Sequence, residues 1–150
     1  MCLQLLFLID LEIIMGTRSI TEVLDFDGNS IISMYIQYDG YQSGVGDDLR
    51  SFLSGNKLVN GYQSKDQKAF NGMGCLAASL VGHMKSGIGG VYLYPKENIV
   101  DFIDYNYTIY PSSGSRVDSE IKIRVQSGKE VLFDGLIDDY SAKDEWDDEQ

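Results

Sequence analysis

Residues 71–95 read NGMGCLAASLVGHMKSGIGGVYLYP, and the change of period inside this stretch decides the fold class. Met73, Leu76, Ala77, Leu80, Val81 and Met84 recur at intervals of three and four, the stripe of an amphipathic helix. Asn71 is its expected cap and Gly87 its expected end. Gly89-Gly90 leads into Val91-Tyr92-Leu93-Tyr94, which reads as a strand closed by Pro95. A helix and a strand joined by a short turn call for a fold of mixed class.

Working outward, the N-terminal side reads as a hairpin. Arg18 to Leu24 is rich in β-branched residues and predicts a strand. Asp25-Phe26-Asp27-Gly28-Asn29 supplies turn residues, and Ile31 to Asp39 predicts the second strand. Alternation puts Ile32, Met34, Ile36 and Tyr38 on one face and Ser33, Tyr35, Gln37 and Asp39 on the other. Gly40 to Gly46 is a glycine-rich loop. Asp47 is the expected cap of a short helix presenting Leu49, Phe52 and Leu53, stopped by Gly55. Leu58-Val59 is a short extended piece, and Ser64 with Gln67 forms a capping-box pattern that predicts a turn of helix.

On the C-terminal side, Tyr105 to Tyr110, Glu120 to Gln126 and Val131 to Ile137 read as strands. In the second of these Ile121, Ile123 and Val125 point inward, while Lys122 and Arg124 point outward. The predicted order is ββ-α-α-ββββ, with the last four strands in an antiparallel meander. The predicted fold is therefore two-layer α+β: a mostly antiparallel sheet of about six strands with two helices on one face.

A chain of 150 residues with 43% hydrophobic and 23% charged residues is expected to form one domain, neither disordered nor membrane-spanning. The formal net charge is −11. Residues 138–150 hold seven acids against the single base Lys143, and the rest of the chain is also acidic. Both parts repel phosphate backbones and anionic lipid, so neither nucleic acid nor a membrane is an expected partner. Two cysteines, Cys2 and Cys75, make no disulfide framework, which fits a reducing, cytoplasmic compartment. The first 14 residues, MCLQLLFLIDLEII, lack any Lys or Arg and are interrupted by Asp10 and Glu12, unlike a signal peptide. They are expected to be a dispensable extension, with residues 15–140 forming the domain and 141–150 a disordered acidic tail.

His83 is the only histidine, so no histidine-rich metal site can be assembled, and no metal or cofactor is expected. Asp25-x-Asp27-Gly28 resembles part of a calcium loop. Aligning its glycine, however, places Val23 and Met34 where the first and twelfth ligands belong. Cys75 falls in the first turn of the strong helix, but a nucleophilic cysteine needs a base in hydrogen-bond reach. His83 lies eight residues on, roughly 12 Å along the helix. Cys75 is therefore expected to be a buried structural residue, with a cysteine-dependent enzyme as the alternative. Asn71-Gly72-Met73-Gly74 opens the helix with backbone N–H groups that suit an anion, without the lysine and hydroxyl of a P-loop.

Together these pieces predict a pocket for a small polar or anionic, nucleotide-like ligand. Arg18 neutralises charge, Gln37 and Asp39 read ligand edges, Tyr35 and Tyr41 stack, and Asn71, Gly72 and Gly74 hold an oxyanion. Tyr92, Tyr94, Tyr105, Tyr107 and Tyr110 are candidates to extend it. The arrangement requires the polar strand face to lie beside the start of the helix. A third reading is an interaction module that docks a basic partner through the acidic tail.

Several strings match a family in order: MGTRS at 15–19, MYIQYDGYQSGVG at 34–46, LVNG at 58–61, FNGMGCLAA at 70–78 and GIGGVYLYP at 87–95. In these 40 residues, about a quarter of the chain, the sequence resembles a family of small proteins of phages, large DNA viruses and some bacteria. The resemblance implies Met15 as the natural start and, for a viral source, a role against host defence. It carries no reaction mechanism.

Overall fold

The computed structural model describes residues 16–61, 68–98 and 102–143. The N-terminal 14 residues, the Ser64/Gln67 pattern and positions 144–150 of the tail lie outside the described residues.

Six strands form the main sheet: β1 (Ser19–Leu24), β2 (Ser30–Ile36), β5 (Val91–Leu93), β6 (Tyr105–Pro111), β7 (Ile121–Ser127) and β8 (Glu130–Leu136). Two short strands, β3 (Lys57–Val59) and β4 (Ala69–Asn71), pair with each other in parallel. Helix α1 spans Asp47–Leu53 and helix α2 Gly72–Met84. The class is α+β, as the periodicity predicts.

The main sheet has the order β5-β2-β1-β6-β7-β8. β1 and β2 form the expected hairpin, with Thr21 opposite Met34 and Val23 opposite Ile32. β6, β7 and β8 form an antiparallel meander. The predicted four-strand meander is corrected at its first member. β5 pairs with β2 at one edge, and β6 lies beside β1, parallel to it. The connection from β5 to β6 therefore crosses three strand spacings, about 14 Å. It docks where Asp104 and Tyr105 both donate backbone N–H groups to the Arg18 carbonyl. That docking starts β6 level with the start of β1, so the two strands run the same way.

Register assigns the faces. Val23, Met34, Ile36, Tyr105, Tyr107, Ile109, Ile121, Ile123 and Val125 point to the inner side and are buried. Against them pack Leu49 and Leu53 from α1 and Met73, Leu76, Ala77 and Leu80 from α2, in one continuous core. Ser19 and Thr21 share this inner face, and their buried hydroxyls have no hydrogen-bond partner among the described residues. The inner face of β1 is thus apolar only at Val23, a departure from the usual satisfaction of buried polar groups.

The glycine-rich loop has a packing role that its composition did not reveal. Residues Gln42–Gly46 form a π-helical turn that runs directly into α1. Gly46, not Asp47, occupies the cap position of α1. Gln42 is buried and accepts a hydrogen bond from the Tyr140 hydroxyl at 3.0 Å. Tyr107 donates its hydroxyl to the Gly40 carbonyl at 2.7 Å. Tyr140 is itself buried and packs within the same core.

Candidate functional site

The structure separates the predicted site residues into two groups at opposite ends of β1. Arg18 precedes β1, and its backbone N–H donates to Asp104 at 3.0 Å. Gly40 N–H donates to the Thr17 carbonyl, which places the DGY loop beside it. Gln37 donates its backbone N–H to Gly90. Tyr41 donates its hydroxyl to the Asp39 carboxylate at 3.2 Å. Asn71, Gly72 and Gly74 lie beyond the other end of the strand, where an added Cβ at Gly72 would stand 4.0 Å from the Phe26 ring. Six strand residues, about 20 Å of extended chain, separate the groups. The eight residues therefore do not converge on one cavity within the chain, and the single pocket drawn from the sequence is corrected. The cause is the direction of α2, which begins at the hairpin-turn end of the sheet.

The tyrosines divide as well. Tyr105 and Tyr107 are in the core. Tyr35, Tyr92 and Tyr94 form an outer-face cluster with ring centroids 6.0 to 6.3 Å apart. On the same outer face Lys96 bridges to Glu22 at 3.2 Å.

Tyr110 belongs to a different outer-face network. It donates its hydroxyl to Asp134, which Arg124 also engages at 3.1 Å, while Lys122 stands 5.2 Å from the tyrosine ring. Burial, then the bond to Asp134, pushes the Tyr110 phenol above its ordinary value. For Asp134 burial acts upward, but the Tyr110 and Arg124 hydrogen bonds and the nearby cations outweigh it and hold the carboxyl below its usual range. A lowered carboxyl contributes stability above its unfolded pKa and loses it as pH falls through the folded value. A raised phenol contributes below its unfolded pKa, about 10, and loses it as pH rises through the folded value. Stability is thus expected to fall at both extremes. Unfolding measured from about pH 2 to 7 should show the wild type's advantage over Asp134→Asn shrinking toward acid; a constant difference contradicts the assignment.

The helix start retains three predicted residues and gains others. A hollow of about 230 Å³ is lined by Asp25, Phe26, Asn60, Asn71, Gly72, Gly74 and Arg116, among others. Asn71 makes no side-chain cap to α2; its Oδ1 instead accepts the Gly61 N–H at 2.9 Å. The first turn of α2 contains no acid. Gly72 has φ of +80°, a backbone conformation that glycine adopts without steric penalty, and it turns the chain from β4 into the helix. The Arg116 guanidinium lies 5.9 Å from the Phe26 ring centroid. One Asp25 oxygen accepts the N–H groups of Asp27 and Asn29 at 2.9 and 2.8 Å, so this carboxylate holds the hairpin turn. The site thus combines the positive end of a helix dipole, one arginine and an aromatic surface.

Sequence reasoning missed Arg116 and Phe26. Phe26 sits in a turn that was read only as a turn, and Arg116 comes from the β6–β7 loop, far away in sequence. Arg18 instead lines a separate hollow of about 330 Å³ with Phe102, Ile103 and Asp104. Cys75 is exposed, contrary to the expectation of a buried thiol, because the stripe of α2 points Met73, Leu76 and Ala77 inward instead. His83, at the other end of α2, contacts Asp48 at 2.9 Å and stacks on Phe52. Among the described residues no cluster of three metal-ligating side chains occurs, and no helix is long and apolar enough to cross a membrane. No protein-family model, curated protein or solved structure matches this chain.

Proposed function

We propose that the protein is a non-enzymatic accessory protein that binds a small anionic, nucleotide-like ligand at the start of α2. The observation that supports this reading most is the helix N-terminus that the Asn71 side chain does not cap, opening into a hollow that Arg116 and Phe26 also line. First-turn N–H groups take a phosphate or carboxylate oxygen, and Arg116 supplies the charge that an acidic chain otherwise lacks. The hollow is smaller than the roughly 300 Å³ at which ordinary ligand pockets begin. It suits one anionic group, with the remainder of the ligand lying over Phe26. A role against host defence is compatible with capture of such a molecule. The enzyme reading is less well supported, since the one histidine is engaged with Asp48 at the far end of the helix from Cys75.

Calorimetric titration with inorganic phosphate and nucleoside mono- and diphosphates tests the site. Arg116→Ala is expected to weaken the tightest of these about tenfold, as a charged hydrogen bond contributes about 1.5 kcal/mol. Folding should be little changed because Arg116 is exposed. Binding that is unaltered in the variant, or absent for all these anions, overturns the proposal.

A further inference from the structure

Among the described residues β5 forms one edge of the sheet. Gln37 N–H donates to Gly90, Tyr94 N–H donates to Ser33, and Tyr92 stands opposite Tyr35. In an antiparallel ladder this turns the backbone groups of Val91 and Leu93 away from the sheet. Such an edge is a template for another strand unless something guards it. Ile31, Tyr38, Ile88, Tyr92, Leu93 and Tyr94 all lie on β5, on β2 or in the chain adjoining them, and they are six of the nine exposed large hydrophobic residues among those described. Among the described residues the guarding side chain is that of Lys85. Lys85 Nζ donates to the Gly89 carbonyl at 2.8 Å and to the Val91 carbonyl at 3.0 Å, and lies 5.6 Å from the Tyr92 ring. Val91 N–H turns back onto the Gly89 carbonyl at 2.9 Å.

We propose that the β5 edge is a strand-pairing surface for a second copy of this chain, held closed by the Lys85 ammonium. The absence of charge on the segment permits a second copy as occupant. An antiparallel pairing about a two-fold axis lays a segment against itself, so any charge on the segment meets its like. Residues 86–95 carry none, in a chain whose net charge of −11 otherwise keeps copies apart. The exposed tyrosine and leucine side chains of β5 supply apolar surface that the pairing buries. While Lys85 covers Val91, only the outward groups of Leu93 are available, too few for a ladder. Loss of the ammonium frees the Val91 carbonyl and removes a buried positive charge from the joint.

Sedimentation of the full chain over a concentration series tests this. Lys85→Ala is expected to lower the dimer dissociation constant at least about tenfold, and the Leu93 amide should exchange more slowly in the dimer. Adding Leu93→Lys to that variant should return it to monomer. Lys85→Gln, which loses the charge and keeps a donor, should shift in the same direction and serves if the alanine variant does not fold. Sedimentation like the wild type in a folded Lys85 variant overturns the proposal. So does a dimer indifferent to Leu93→Lys, or growth beyond dimer, which a two-fold pairing forbids.

Discussion

Gly40→Ala is expected to destabilise the fold by about 3 kcal/mol, the upper part of the range for overpacking a filled interior. A Cβ at Gly40 would lie 2.8 Å from Ser19 Cβ and 2.9 Å from the backbone of Arg18 and Ser19. These atoms belong to the start of β1, which is fixed on both sides by β2 and β6, so little can move aside. Displacing Gly40 also disturbs the acceptor of the buried Tyr107 hydroxyl. For a domain of this size the loss corresponds to a melting point lower by roughly 6–12 °C. Gly82→Ala is the control: it lies within α2 with nothing near the added Cβ, and alanine there should stabilise by about 0.5–1 kcal/mol. Urea denaturation of the three proteins measures both changes. Equal stability of Gly40→Ala and wild type would show that the loop does not pack as described. Since the loop is remote from the start of α2, the folded variant should keep its ligand affinity, which separates a structural glycine from a binding one.

Leu80→Ala is expected to cost about 2–5 kcal/mol, the range for removing a buried leucine and leaving a cavity. Leu80 is fully buried between α2 and the sheet, within the same core as Met34 and Ile109. The helix carries the proposed site at its first turn, two turns from Leu80, so the mutation tests the support of that turn. Val81→Ala, on the half-buried flank of the stripe, should lose markedly less. A Leu80→Ala protein as stable as Val81→Ala in urea would contradict the inward face assigned to α2.

The helix stripe, the hairpin and the last two strands were legible because each rests on local period. Apolar residues at helical spacing in 73–84 and strict alternation in 121–125 leave one way to bury the apolar side. β4 escaped notice because three residues with one buried side chain, Phe70, carry no period. β5 was read as a strand yet assigned the wrong neighbour, since its pairing depends on where an eleven-residue connection from residue 94 to residue 104 comes down and not on its own sequence. The candidate site was half legible. A helix start opened by glycines is a local feature, whereas its arginine and aromatic ring come from loops that meet only when β1 and β6 pair.

By itself, the sequence determined the class of the fold, the inward faces of its long elements, the acidic character of the chain and the insufficiency of one histidine for a histidine-rich metal site. These follow from residue type and spacing, which act over a turn of helix or a few strand residues. Tertiary structure alone decided the parallel pairing of β1 with β6, the burial of Tyr105 and Tyr107, and the packing role of Gly40 and Gly46. It also set Arg18 and Gly72 at opposite ends of one strand. Each depends on contacts between segments distant in the chain, whose free energy is settled only when the whole core closes.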